Sequence, residues 1–140
     1  RFMYEESLRI PLLVRWPALV RPGARTDAMA LNVDFAPTFL EAAGVAVPAA
    51  MQGRSLLPLL RGDSPSDWRS AIYYRYYHDP GDHDTRAHLG VRTATHKLIH
   101  FWKKDQWELF DLRRGRNARD RGRIGILPAA SSTRGKTFLD

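Results

Sequence analysis

The sequence predicts an α/β chain in α+β order: the closing part of a larger α/β domain, then a small antiparallel sheet. Three observations carry that expectation. A short apolar run, Ile10 to Val14, lies between Arg9 and Arg15 and is followed by a helix-like segment at Val33 to Gly44. Near residue 70 the pattern changes to short stretches rich in aromatic and branched residues, separated by turn formers. At Arg113 the periodicity stops. These changes divide the 140 residues into 1–69, 70–112 and 113–140.

Met3 to Pro17 opens with no helix start, turn or leader ahead of it, as a sequence entered mid-fold. Within it, Ile10 to Val14 reads as a strand buried on both faces, ended by Pro17. Arg21-Pro22-Gly23 is a turn signal. Val33 to Gly44 reads as a helix with Asp34 as N-cap, Pro37 in the first turn and Gly44 as the stop. Helical spacing assigns Phe35, Phe39, Leu40 and Ala43 to its buried face. Met51 to Gly62 is a short apolar helix or turn, and Gly62 to Asp67 a polar connection.

Ala71 to Tyr77, Leu89 to Ala94, His96 to Trp102 and Trp107 to Leu112 have the length and composition of strands in an antiparallel meander. Lys103 to Gln106 suits a hairpin connection, with Trp102 and Trp107 pairing across it. From Arg113 to Arg123 no period yields an apolar face, so 113–140 is expected to be an irregular basic tail.

With 44% hydrophobic and 11% aromatic residues the chain can build a core. No apolar run approaches the roughly 20 residues that span a bilayer. The lack of cysteine excludes disulfides, thiolate metal ligands and a cysteine nucleophile, but leaves the compartment open. A periplasmic or secreted location would follow from a signal peptide ahead of Arg1. The net charge of +7 is unevenly placed: residues 1–112 hold 14 Lys and Arg against 13 Asp and Glu, whereas 113–140 hold 8 against 2. The globular part is nearly neutral, which argues against a basic nucleic-acid-binding protein.

Four blocks resemble bacterial sulfatases in order and spacing, through about Leu112. They are Met3 to Leu12, Asn32 to Leu40, Met51 to Leu60, and Gly90 to Thr93 with Lys97 to Ile99. The resemblance implies an alkaline-phosphatase-like fold, with a large α/β domain holding the active site and a small sheet with a helix after it. It also implies a formylglycine nucleophile made from Cys or Ser in a Cys/Ser-x-Pro-x-Arg motif, a calcium ion held by Asp and Asn, and a catalytic lysine just before the Tyr-Glu run. None of these lies in this chain, so it is expected to be a C-terminal sulfatase fragment that does not itself hydrolyse sulfate esters. After Asp111-Leu112 the sequence departs from the sulfatase pattern. An abnormal reading frame is one reading of that departure, and an anion-binding tail the other.

Loops of the small sheet in this family overhang the cleft, which makes His78, His88 and Arg92 the expected substrate-binding residues, toward a sulfated small molecule or carbohydrate. Glu5 and Arg9 have the spacing of a structural ion pair on a helical turn. His78, Asp79, Asp82, His83, Asp84 and His88 share one loop, but their spacing fits no specific metal motif, so no metal ligand is assigned. Tyr73, Tyr74, Tyr76 and Tyr77 alternate along a strand, sending some to the core; a stacking platform is the alternative. A non-catalytic substrate- or partner-binding module remains the other function class.

Overall fold

The computed structural model describes residues 2–113 and 123–127. It divides into two compact units: the N-terminal residues through Ile10 with the strands from Ala71 onward, and Pro11–Ser70.

The first unit is an antiparallel sheet in the order β1 (Ala71–Tyr76), β2 (His88–Thr93), β3 (His96–Phe101), β4 (Gln106–Asp111), β5 (Arg123–Leu127). Its first four strands follow the expected segments. The fifth departs from the expected irregular tail at Arg123–Leu127 alone, the rest of 114–140 lying outside the described residues: Ile124 to Leu127 is an apolar run of strand length, and β4 presents an edge whose backbone groups need partners. Counting arginines hid that run.

Period-2 alternation sorts the sheet into two faces. Lys97, Ile99 and Phe101 of β3 are buried on one face, with the register pairing Lys97 to Phe110 of β4. Residues 2–8 cover this face. Met3 is fully buried with Ile99, Phe101 and Phe110, and Phe2, Tyr4, Leu8, Tyr74 and Leu112 pack around them. Burying Met3 contributes about 1.5–3 kcal/mol. Its place exists because position 90 is glycine: a Cβ there would lie 2.6 Å from the Met3 sulfur and 2.3 Å from the Leu98 carbonyl oxygen.

The tyrosines divide as alternation requires, Tyr74 and Tyr76 half-buried and Tyr73 and Tyr77 exposed. The expected Trp102–Trp107 pair is corrected. The register places His100 opposite Trp107, and their rings stack at 3.8 Å, while Trp102, one residue past β3, receives the Arg75 guanidinium at 5.2 Å.

A single helical turn, α1 (Glu5–Leu8), sits on the sheet and ends before Pro11, whose ring disfavours helical geometry in the preceding residue. The following run corrects the sequence reading: Ile10 to Val14 forms no strand, and Leu13 is 92% exposed. A strand buried on both faces requires a ladder on each side, and no described residue pairs with this run.

In the second unit a 3-10 turn (Asn32–Asp34) runs into α2 (Phe35–Ala42). Gly44, at φ 70°, ends α2 in a Schellman pair: Val45 N donates to Leu40 O at 2.9 Å and Gly44 N to Glu41 O at 3.0 Å. Helix α3 (Leu57–Arg61) ends the same way at Gly62, with Asp63 N donating to Pro58 O at 2.9 Å.

The inward face of α2 differs from the expected one. Pro37 and Thr38 are buried, Phe35 and Leu40 half-buried, and Phe39 and Ala43 exposed. The cause is Asp34, which occupies the N-cap position of α2 as expected but makes no side-chain capping bond there, and is instead fully buried as a hub. Its carboxylate accepts from Leu31 N at 2.7 Å, Arg54 N at 2.9 Å and both terminal nitrogens of Arg69. One turn on, Thr38 Oγ1 donates to Asp34 O at 2.6 Å and accepts from Leu56 N at 2.8 Å. The polar partners, rather than the apolar stripe, choose the side of α2 that faces inward.

Gly53 lets the Arg54 backbone reach this hub, because a Cβ at position 53 would lie 1.8 Å from the Val33 carbonyl oxygen. Gly53→Ala should therefore destabilise the second unit by about 2–3 kcal/mol. Urea denaturation followed by tryptophan fluorescence reads this out; an unshifted midpoint would contradict it.

Candidate functional site

The covered face of the sheet holds a network of charged side chains around the buried Lys97. Glu5, at the start of α1, does not pair within its own turn as expected with Arg9; its carboxylate turns to the sheet. Arg92 on β2 grips it with a two-pronged fork, Nε to Oε1 at 3.1 Å and Nη2 to Oε2 at 2.9 Å. Lys97 on β3 reaches the same carboxylate at 3.3 Å and lies over the Phe110 ring at 4.8 Å. Only 2% of Lys97 is exposed.

Burial pushes the Glu5 carboxyl up, but the Arg92 hydrogen bond and charge, with Lys97, outweigh it and hold the pKa below its ordinary value. Burial lowers the Lys97 ammonium, with Glu5 opposing. Sequence reading passed over Lys97, yet the signal was present: it shares strand parity with Ile99 and Phe101.

Two of the expected substrate-binding residues, His88 and Arg92, lie on this same face of β2, on either side of Gly90. His88 is fully buried in a box of rings, with centroids of Phe2 at 5.5 Å, Tyr74 at 5.6 Å, Tyr76 at 5.7 Å and Phe101 at 5.4 Å. Its Nδ1 lies 2.7 Å from the Arg86 carbonyl oxygen, which only accepts, so Nδ1 carries the proton. Burial holds the His88 pKa below its ordinary value, against that hydrogen bond. The ring is therefore a neutral plate near pH 7. Its Nε2 and the Tyr76 hydroxyl are buried polar atoms without a hydrogen-bond partner among the described residues.

The third expected residue, His78, stands apart. It follows β1, is exposed, and meets the Tyr76 ring edge-on at 5.9 Å. In its loop, Asp79 takes Arg86 and Lys103, each at 3.4 Å, and Asp84 takes Arg86 at 2.9 Å. Among the described residues no three His, Asp or Glu side chains converge to hold a metal ion. No described helix is long and apolar enough to cross a membrane.

Comparison with known proteins matches residues 1–120 to the N-sulphoglucosamine sulphohydrolase C-terminal family. The chain is 50% identical over 116 residues to an N-acetylglucosamine-6-O-sulfatase of Bacteroides thetaiotaomicron, covering 81% of this chain and 21% of that protein. It is 40% identical over 77 residues to human N-acetylglucosamine-6-sulfatase, covering 54% and 14%. A solved structure of a protein in complex with its substrate D-glucosamine-2-N,6-O-disulfate matches at TM-score 0.68 and 47% identity, over 71% of this chain and 21% of that one. A phosphonate monoester hydrolase from Silicibacter pomeroyi matches at TM-score 0.55 and 29% identity, over 67% and 21%. The chain thus spans about a fifth or less of the curated relatives named here.

Glu5→Gln should cost about 3 kcal/mol at neutral pH, because it strands a buried ammonium. The wild-type contribution is fully present above the ordinary Glu pKa and is lost as pH falls through the lowered one, so the variant should also show a shallower acid limb in unfolding titrations. Equal slopes would contradict the network. For His88 the unfolded chain takes up a proton before the folded one does. Stability should therefore fall as pH drops below about 6.5, the ordinary histidine value. His88→Phe should remove that step in thermal midpoints measured between pH 7.5 and 5.5.

Proposed function

The chain belongs to the sulfatase family through its N-sulphoglucosamine sulphohydrolase C-terminal region, and on that basis we propose that it serves as the C-terminal portion of a sulfuric-ester hydrolase acting on sulfated carbohydrate. One observation carries the reading. Blocks that resembled sulfatases separately in the sequence meet in one network, where Glu5 of the first is gripped by Arg92 and Lys97 of the last. The sulfated glucosamine bound by the matching solved structure supports the substrate class.

Within this function, residues 2–113 bind and position. Of the three residues expected to meet substrate, His78 is the solvent-facing contact. His88 and Arg92 act from beneath, His88 as a neutral plate under Phe2 and Arg92 as the clamp on Glu5. The 1–69 segment corresponds to the end of the catalytic domain, with its residues through Ile10 packed in the sheet unit, and 70–112 to the substrate-side sheet. The described residues do not fit a calcium site, and the sequence has no cysteine and no Ser-x-Pro-x-Arg, so calcium and formylglycine would come from residues outside this chain. No chemical step is assigned to it. The family match favours this reading over a nucleic-acid-binding protein.

The test is a chimera in which this chain replaces the matching fifth of the Bacteroides thetaiotaomicron enzyme. The chimera should release sulfate from 6-O-sulfated glucosamine, and the 140-residue chain alone should release none. A soluble, cooperatively folding chimera that is inert toward the sulfated sugar would overturn the proposal.

A further inference from the structure

In the second unit, the chain just after the exposed Ile10 to Val14 run encloses a cavity that the function above leaves unused. Its volume is about 380 Å³, within the roughly 300–1,000 Å³ of small-molecule sites, and residues 14–17 and 20–24 line it. Two consecutive turns shape it. Leu19 N and Val20 N donate to Trp16 O at 2.9 and 2.8 Å, and Ala24 N donates to Arg21 O at 3.2 Å across Pro22-Gly23. Pro22 presets the second turn, and Gly23, at φ 74°, supplies the left-handed residue that such a turn requires.

The lining combines two chemistries. Val14, Pro17, Val20 and the half-buried Trp16 form an apolar wall. Arg15 and Arg21 carry the charge, and no acidic residue of the lining offsets them. Both are exposed, and among the described residues neither meets a carboxylate, whereas Arg54, Arg69, Arg86 and Arg92 each do. Arg21 is nonetheless held in place. A Cβ at Gly62 would lie 3.2 Å from its Nη2, which sets the guanidinium against the C-terminal end of α3, where the helix dipole favours a cation.

Two cations on one concave wall attract an anion, and a guanidinium fork matches the two oxygens of a carboxylate. An inorganic ion would leave the apolar wall uncovered, while a flat ring packs against an indole. We propose that this cavity is a binding site for a small aromatic carboxylate, with the charge at Arg15 and Arg21 and the ring against Trp16. The site stands apart from the sulfatase function and does not depend on it.

Calorimetric titration of the 140-residue chain with 2-naphthoate tests the site. Two controls accompany it: 2-naphthylmethanol keeps the ring without the charge, and acetate keeps the charge without the ring. 2-Naphthoate should bind with a dissociation constant of about 1 mM or tighter, and each control about tenfold more weakly. Arg15→Gln and Arg21→Gln should each weaken naphthoate about tenfold, the value of a hydrogen bond to a charged group, with little change in thermal midpoint. Trp16→Leu should narrow the gap between naphthoate and acetate. Equal affinity for naphthoate and naphthylmethanol, or arginine variants that bind as the parent does, would overturn the anion assignment. Equal affinity for naphthoate and acetate would overturn the aromatic one. No saturable binding of naphthoate at millimolar concentrations would overturn the site.

Discussion

Lys97 has 2% of its surface exposed, and an ammonium group so enclosed persists in charged form only beside a counter-charge. Glu5 supplies it, from a position 92 residues earlier in the chain. That distance gives the interaction its structural consequence. The carboxylate can reach Lys97 and Arg92 only if residues 2–8 lie on the sheet, and once they do, Met3 drops over Gly90 and Phe2 closes the ring box around His88. Hydrophobic burial supplies most of the free energy, but it is non-directional. The Arg92 fork fixes which way the segment lies, because two parallel hydrogen bonds tolerate little rotation.

The second unit uses the same device with different parts. Asp34 is the buried carboxylate and Arg69 the fork, with the Leu31 and Arg54 backbone amides occupying the remaining acceptor positions. Trp68 lies against the arrangement, its ring facing the Arg54 and Arg69 guanidinium groups at 4.9 and 5.1 Å and its Nε1 donating to Met29 O at 3.0 Å. This ties Asn32 to Leu40 to Met51 to Leu60: the carboxylate of one accepts from the backbone of the other, and Gly53 permits the approach. The strand parity of β1 to β4, by contrast, depends on local composition, and those strands were legible in the sequence to within a residue or two.

The features the sequence hid share a cause. Helical spacing assigned Phe39 inward, but its exposure of 71% follows from a polar hub that no periodicity reports. Ile10 to Val14 has strand composition, but composition cannot supply ladder partners. Glu5 and Arg9 have the right spacing for each other, and spacing says nothing of a fork arriving from β2. In each case a long-range polar contact, or the lack of a pairing strand, decided against a local rule. The residues expected to bind substrate show the same logic: type and position in the sequence do not report that His88 is buried under Phe2 or that Arg92 is engaged by Glu5.

These arrangements also bear on how the chain meets an anion. Residues 1–112 are almost neutral, with 14 basic against 13 acidic groups, so no broad field draws a sulfate ester toward them. Three of the guanidinium groups are committed as well. Arg92 is committed to Glu5, Arg69 to Asp34, and Arg86 to Asp79 and Asp84. Those three guanidinium groups hold the fold together, so under the proposed function any neutralisation of a sulfate would fall to other cations.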